Sequence, residues 1–156
     1  MRMISLTERP QAIAEIARWH YQQWHALFPQ RSEADFASEL AQCLGAELVP
    51  QTWLLLDDAD AVAGTCSLLK HDMTTNLDLS PWLANIYLRA DLRGQGLGAL
   101  LVKQVMQAAS AAHFPRLYLF TEDQQRFYQQ LGWQVLRQQE YEGHAVTVMC
   151  YDCAGS

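Results

Sequence analysis

The run Arg93-Gly94-Gln95-Gly96-Leu97-Gly98 restricts this chain more than any other feature. It joins an apolar segment at 82–88 (WLANIYL), read as a strand, to a long amphipathic segment that begins near Gly96 and reaches about Ala112. In that segment Leu97, Leu101, Val105, Ala108 and Ala112 recur at spacings of 4, 4, 3 and 4, the pattern of a helix with one buried face. Glycine permits a sharp turn and lets a backbone approach a ligand closely. The first amides of a helix lack partners and carry the positive end of its dipole. A glycine turn feeding such a helix can therefore hold an anion such as a pyrophosphate. The alternative is a glycine-rich turn that binds nothing. A nucleotide triphosphatase loop is excluded because no G-K-[ST] is present. A dinucleotide fingerprint is disfavoured because the spacing is G-x-G-x-G and no acidic residue ends a strand about 20 residues later.

The other elements fall around this strand-turn-helix. Residues 10–28 read as a helix with Pro10 in its first turn and Pro29 as its stop. Residues 32–44 read as a second, with Ser32 as N-cap, Asp35 in the first turn and Gly45 beyond its end. Segments 52–57 and 61–69 are predicted strands joined at Asp57–Asp60. After the long helix come a strand at 116–121, a helix at 123–131 ending at Gly132, and strands at 133–140 and 145–151 joined at Glu142-Gly143. With a short strand at 3–7, the order is β-α-α-β-β-β-α-β-α-β-β. That order predicts an α+β or α/β fold: a mixed sheet with helices on both faces.

The 156 residues fit one domain spanning 1–156, half of them apolar and 18% charged, which is a globular composition. The formal charge of −6 argues against sequence-independent nucleic-acid binding and mildly favours cationic substrates. No run of about 18 apolar residues is present, so no transmembrane helix or membrane partner is expected, and the N-terminus lacks the apolar core of a signal peptide. Cys43, Cys66, Cys150 and Cys153 are read as thiols of a reducing cytoplasm. Cys150 and Cys153 form a C-x-x-C without the second pair a zinc site needs, so no metal is expected and the two read as small apolar side chains at a strand end.

The second informative segment runs from Thr121 through Phe127-Tyr128-Gln-Gln-Leu-Gly132-Trp133. Thr121 and Gln124 have the spacing of a capping box, and on pattern alone Tyr128 is either a core aromatic or a functional phenol. Arg93–Gly98 resembles the Q/R-x-x-G-x-G/A signature of the GCN5-related N-acetyltransferase (GNAT) superfamily. The segment ending in Trp133 is similar to that family's N/T…F-Y-x-x-L-G-F/W pattern. Both motifs stand in the family's order, and the resemblance covers about residues 50–151.

The resemblance implies a mostly antiparallel, splayed sheet with acetyl-CoA in the splay, beside the strand that precedes the glycine loop. It implies that Gly94 and the amides of Gln95, Gly96, Leu97, Gly98 and Ala99 form the pyrophosphate loop, headed by Arg93 in a partly structural role. The backbone of Ile86, Tyr87 and Leu88, at the family's bulge, would pair with the pantetheine. Thr121 stands where many relatives have Asn, and Ala90 where many have Pro. Tyr128 matches the family's tyrosine near the CoA sulfur and is the implied acid.

Where some relatives carry a glutamate base, this chain has Leu83 and Asn85. Asp72, His71, Asp78, His144, His20 and His25 are the candidate bases, with water as the alternative. Trp19, His20, Tyr21, Trp24, His25 and Phe28 crowd one helix; core packing accounts for His20 and Trp24, and some of the others are candidates for an acceptor pocket. The implied reaction is direct transfer of acetyl from acetyl-CoA to a primary amine in a ternary complex. The leading acceptor is a small cationic metabolite or antibiotic. Alternatives are a peptide N-terminus and a non-catalytic CoA-binding module, and a homodimer is left open.

Overall fold

A computed structural model describes residues 1–153. Its elements are β1 (Arg2–Ser5), α1 (Ile13–Trp24), α2 (Glu33–Ala41), β2 (Gln51–Leu56), β3 (Val62–Leu69), β4 (Trp82–Leu88), α3 (Leu97–Ala111), β5 (Arg116–Thr121), α4 (Gln125–Gln130), β6 (Gln134–Tyr141) and β7 (His144–Asp152). The strands form one mixed sheet in the order β1-β2-β3-β4-β5-β7-β6, and every neighbouring pair is antiparallel except β4 and β5.

Helices cover both faces, which explains why β2 from Thr52 on and all of β3 are buried rather than alternating between buried and exposed. Along β2, Leu54 and Leu56 pack with Ile16, Phe36 and Leu40 of α1 and α2, whereas Leu55 packs with Leu101, Val102 and Val105 of α3. All of these except Phe36 are 0–1% exposed, so the helical spacing seen in the sequence translates directly into a buried stripe.

Element boundaries differ from the sequence reading at several ends. The first helix ends at Trp24 rather than Phe28, because Leu27 and Phe28 both donate to Trp24 O and tighten the last turn. It begins at Ile13, after a 3-10 turn over Pro10–Ala12. The second helix carries the Ser32–Asp35 capping box and passes into a 3-10 turn after Ala41. The helix predicted at 123–131 starts at Gln125: Thr121 Oγ1 accepts from Gln124 N, but the Gln124 side chain turns to Asp123, so only half of the predicted box forms. The turn from β6 to β7 has left-handed residues at both Glu142 and Gly143, the geometry that suits a two-residue hairpin.

Two irregularities shape the centre of the sheet. β4 and β5 pair only at Trp82↔Tyr118, where Tyr118 N also donates to Pro81 O, and separate beyond it. Between β3 and β4, Thr65 faces Tyr87 and Ser67 faces Ala84, so Asn85 and Ile86 together oppose Cys66. This is a β-bulge, and Asn85 adopts a left-handed φ of 55° within it.

Gly64 backs the same strand. A Cβ there would stand 2.8 Å from Tyr87 O and 3.2 Å from Leu101 Cδ1. Gly64→Ala must therefore displace β4 backbone, and we expect a loss of about 1–3 kcal/mol in urea unfolding; an unchanged midpoint would contradict this packing.

Candidate active site

Past Trp82 the facing edges of β4 and β5 bound a cleft of about 660 Å³. Leu83–Ile86 form one wall and Leu119–Thr121 the other, while Trp24 and Phe28 close one side and Tyr128 contributes its ring. A second cavity of about 280 Å³ shares Phe28, Arg31 and Asp72 with it. Backbone groups on a strand edge without a partner need water or a ligand to satisfy them. The parted strands thus present two rows of donors and acceptors to whatever fills the cleft.

The bulge is held by side chains from three elements. Thr65 Oγ1 donates to Asn85 O at 2.7 Å, and His20 Nε2 lies 2.9 Å from the same hydroxyl. The Asn85 amide donates to Ser67 Oγ at 3.1 Å and to Glu39 Oε1 at 3.3 Å. Glu39 in turn pairs with Arg31, whose guanidinium lies 4.9 Å from the Phe28 ring centre and 5.2 Å from that of Phe36. Arg31, Glu39 and Thr65 carried no motif in the sequence. A signal existed for Glu39, since its spacing of three from Phe36 places it on the inward face of α2.

The glycine loop lies at the open end of β4. Gly94 and Gly96 have φ of 82° and 80°, and a Cβ at either would meet nothing within 4 Å. Their requirement is conformational, and the space above them is open. Gly96 is the N-cap of α3 and supplies no side chain, so the first amides of the helix are left for another acceptor. Arg93 ties this loop to the strand: its Nε donates to Leu88 O at 2.9 Å and its guanidinium lies 5.7 Å from the Tyr87 ring centre. Leu97 packs against the core, and Phe127 lies 3.7 Å from where a Cβ of Gly98 would be.

Tyr128 is 8% exposed, and among the described residues its hydroxyl makes no hydrogen bond. Burial, with smaller contributions from the charges of Asp123 and Asp72, pushes its phenol well above the usual tyrosine range, so it keeps its proton. Thr121 also lines the cleft, and its hydroxyl oxygen accepts from Gln124 N in the turn before α4.

The six candidate bases separate clearly. Asp72 is half-buried in the cleft, and burial, reinforced by the charge of Glu39 and opposed by Arg31, holds its carboxyl well above the ordinary aspartate range. His71 is exposed and lines only the second cavity, while Asp78 is exposed and lines neither. His144 lies 3.2 Å from Glu122 and 3.1 Å from Ala26 O. The His25 Nδ1 lies against Tyr21 O, and its side chain is exposed. His20 is 1% exposed and burial lowers its pKa to about 3, so it stays neutral and away from the cleft lining. Trp24 packs against the core, beside His20, and also lines the cleft, as does Phe28 just beyond α1; Trp19 stacks on Tyr87 at 5.3 Å. All four cysteines are buried, and among the described residues no group of three or more His, Cys, Asp or Glu is placed to hold a metal ion. No described helix is long and apolar enough to cross a membrane.

The sheet thus parts at its one parallel pair, with the glycine turn and the start of α3 at the open end of β4. The family model "Acetyltransferase (GNAT) domain" matches residues 50–135, more than half of the chain, and the chain belongs to the GNAT N-acetyltransferases. Among solved structures it is similar to an aminoglycoside 6'-N-acetyltransferase complexed with coenzyme A (TM-score 0.76, 13% identity, covering 98% of this chain and 97% of the other). It is also similar to aminoglycoside 6'-acetyltransferase type Ii (TM-score 0.74, 15% identity, 98% and 97%). A third is a phosphinothricin acetyltransferase from Sinorhizobium meliloti in complex with AcCoA (TM-score 0.74, 17% identity, 97% and 87%). A search of curated protein sequences found no match.

His20 gives the site a pH signature in stability. Its folded pKa, about 3, lies below its unfolded value of 6.5, so the unfolded state takes up the proton first. The resulting stability is present in full above pH 6.5 and is lost as pH falls toward 3. We expect His20→Gln to flatten the acid slope of urea-unfolding free energy by up to about 1.4 kcal/mol per pH unit within that window. An unaltered slope would mean that His20 is solvated in the folded protein.

Proposed function

We propose that this chain is a single-domain enzyme that transfers acetyl from acetyl-CoA to the primary amine of a small cationic acceptor, by direct attack in a ternary complex. The observation that carries the proposal is the cleft between β4 and β5, in which Tyr128, Asp72 and the free edge of β4 line a single space. The residues fit a CoA thioester. In this reading the amides of Gln95–Ala99 hold the pyrophosphate at the start of α3. Arg93 braces the loop, and Gly94 and Gly96 supply its left-handed turns. The backbone of Ile86–Leu88 pairs with the pantetheine as an added strand would, and Thr121 donates to it from β5.

Asp72 takes the proton of the attacking amine, directly or through water, because its raised pKa brings a carboxylate closer to the working pH of a general base. Tyr128 donates to the departing sulfur. Since its phenol is harder to ionise than a free tyrosine, it acts as a fixed hydrogen-bond donor to the developing thiolate. The acceptor end supports a cation. Asp72, Glu122 and Asp123 line the cleft against the one guanidinium of Arg31, which Glu39 already pairs and which lies over Phe28 and Phe36, and Trp24 offers an aromatic face.

The test is steady-state transfer to a panel of mono- and polyamines, with acetyl-CoA binding measured in parallel. Tyr128→Phe is expected to keep the fold and acetyl-CoA affinity while kcat falls about 10²–10³-fold, the worth of one donor aimed at developing charge. A core tyrosine would give the reverse, lower stability with a near-normal rate. Asp72→Asn is expected to abolish the limb of the pH profile that rises as the carboxyl deprotonates, a limb displaced above the usual carboxylate range. Retention of that limb would assign the base elsewhere.

A further inference from the structure

The hydrogen bonds around the bulge have a direction that can be read atom by atom. Asn85 O is a carbonyl and can only accept, so the single proton of Thr65 Oγ1 is committed to it at 2.7 Å. The His20 ring nitrogen 2.9 Å from the same oxygen must then be the donor, which fixes His20 as the Nε2–H tautomer. A second series meets Asn85 from its side chain: Asn85 Nδ2 donates to Ser67 Oγ, which is 2.8 Å from Thr52 Oγ1, which donates to Cys43 Sγ. His20, Thr52, Thr65 and Ser67 are each 0–1% exposed, so these bonds have no competition from water.

The consequence lies on the other side of the peptide. In a planar trans peptide the C=O and the following N–H point in opposite directions. With Asn85 O turned to the Thr65 hydroxyl, the N–H of Ile86 is turned away from that hydroxyl, and Ile86 lines the cleft. Asn85 tolerates the left-handed φ this demands better than most residues.

We propose that Thr65 is a positioning residue for acyl transfer and that His20 orients it: the relay from His20 Nε2–H to Thr65 Oγ1–H to Asn85 O holds the Ile86 N–H as the donor to the thioester oxygen. The proposal rests on the acetyltransferase reading above. In the transfer step the amine nitrogen bonds to the carbonyl carbon, the C=O electron pair moves onto oxygen, and the Ile86 N–H meets that charge. The pair returns as the C–S bond breaks to thiolate, and the amine proton leaves to the base. No proton passes along the relay, whose role is aim.

The experiment uses acetyl-CoA labelled with ¹³C at the carbonyl and needs no knowledge of the acceptor. In the wild type the bound C=O stretch is expected at lower frequency than in free acetyl-CoA, because a fixed donor polarises it. Thr65→Val keeps the shape and removes the hydroxyl. It is expected to return the stretch most of the way to the free value, with acetyl-CoA affinity within about threefold of wild type and kcat toward any accepted amine down about 10- to 100-fold. Thr65→Ser restores the hydroxyl and is expected to restore the shift, and His20→Leu to lose part of it. A wild-type shift in Thr65→Val, or a loss in Thr65→Ser equal to that in Thr65→Val, overturns the role of Thr65. A full shift in His20→Leu removes His20 from the relay. Failure of the wild type to bind acetyl-CoA overturns the acetyltransferase reading itself and this inference with it.

Discussion

The candidate site depends on the parting of β4 from β5. Two parallel neighbours would ordinarily continue their ladder, but here a single pair, Trp82↔Tyr118, is followed by divergence. Trp82 is fully buried, its indole donates to Leu79 O at 2.8 Å, and its ring packs against Tyr118 and Phe120. That cluster fixes the closed end of the gap. On the far side the bulge at Asn85 and Ile86 turns β4 relative to β3, and the fully buried Leu101 and Val105 of α3 hold the strands beneath. The cleft is thus a built feature of the core, framed by residues that cannot move without cost.

That frame also explains the electrostatics. Tyr128 and Asp72 have raised pKa values for the same first reason, withdrawal from water, and Asp72 adds to the shift of Tyr128. A phenol that keeps its proton and a carboxyl that ionises late suit opposite tasks, donation to a leaving group and acceptance from an incoming amine. Arg31 lines the same cleft, lies over the rings of Phe28 and Phe36, and is already engaged by Glu39. An acceptor bearing positive charge would meet carboxylates without having to displace a free cation.

Much of this fold was legible in the sequence because it follows from periodicity and punctuation. The order of elements, the α3 stripe of Leu97, Leu101 and Val105, the cap at Ser32 and the turn at Glu142-Gly143 each have a local cause. Helix ends were less legible: Pro29 marks where α1 must have stopped, whereas the tightened turn at Trp24 depends on tertiary contacts of Leu27 and Phe28. In the site, Arg93–Ala99 and Tyr128 stood out by motif. The separation of Asp72 from His71, Asp78 and the other candidates could not be read, because burial is a property of the assembled cleft. Thr65 carries no pattern of its own, and the spacing of Glu39 from Phe36 shows only that it faces inward; their importance appears only when β3, α2 and the bulge are brought together.

Amide hydrogen exchange with and without saturating acetyl-CoA, followed residue by residue, tests the central claim most directly. If the thioester lies in the splay with its pyrophosphate at the glycine loop, exchange slows at Ile86–Leu88 and at Gln95–Ala99 together, and NAD at the same concentration leaves both segments unchanged. Exchange unaltered at both segments under acetyl-CoA, or protection confined to residues outside the β4–β5 gap, would contradict the account.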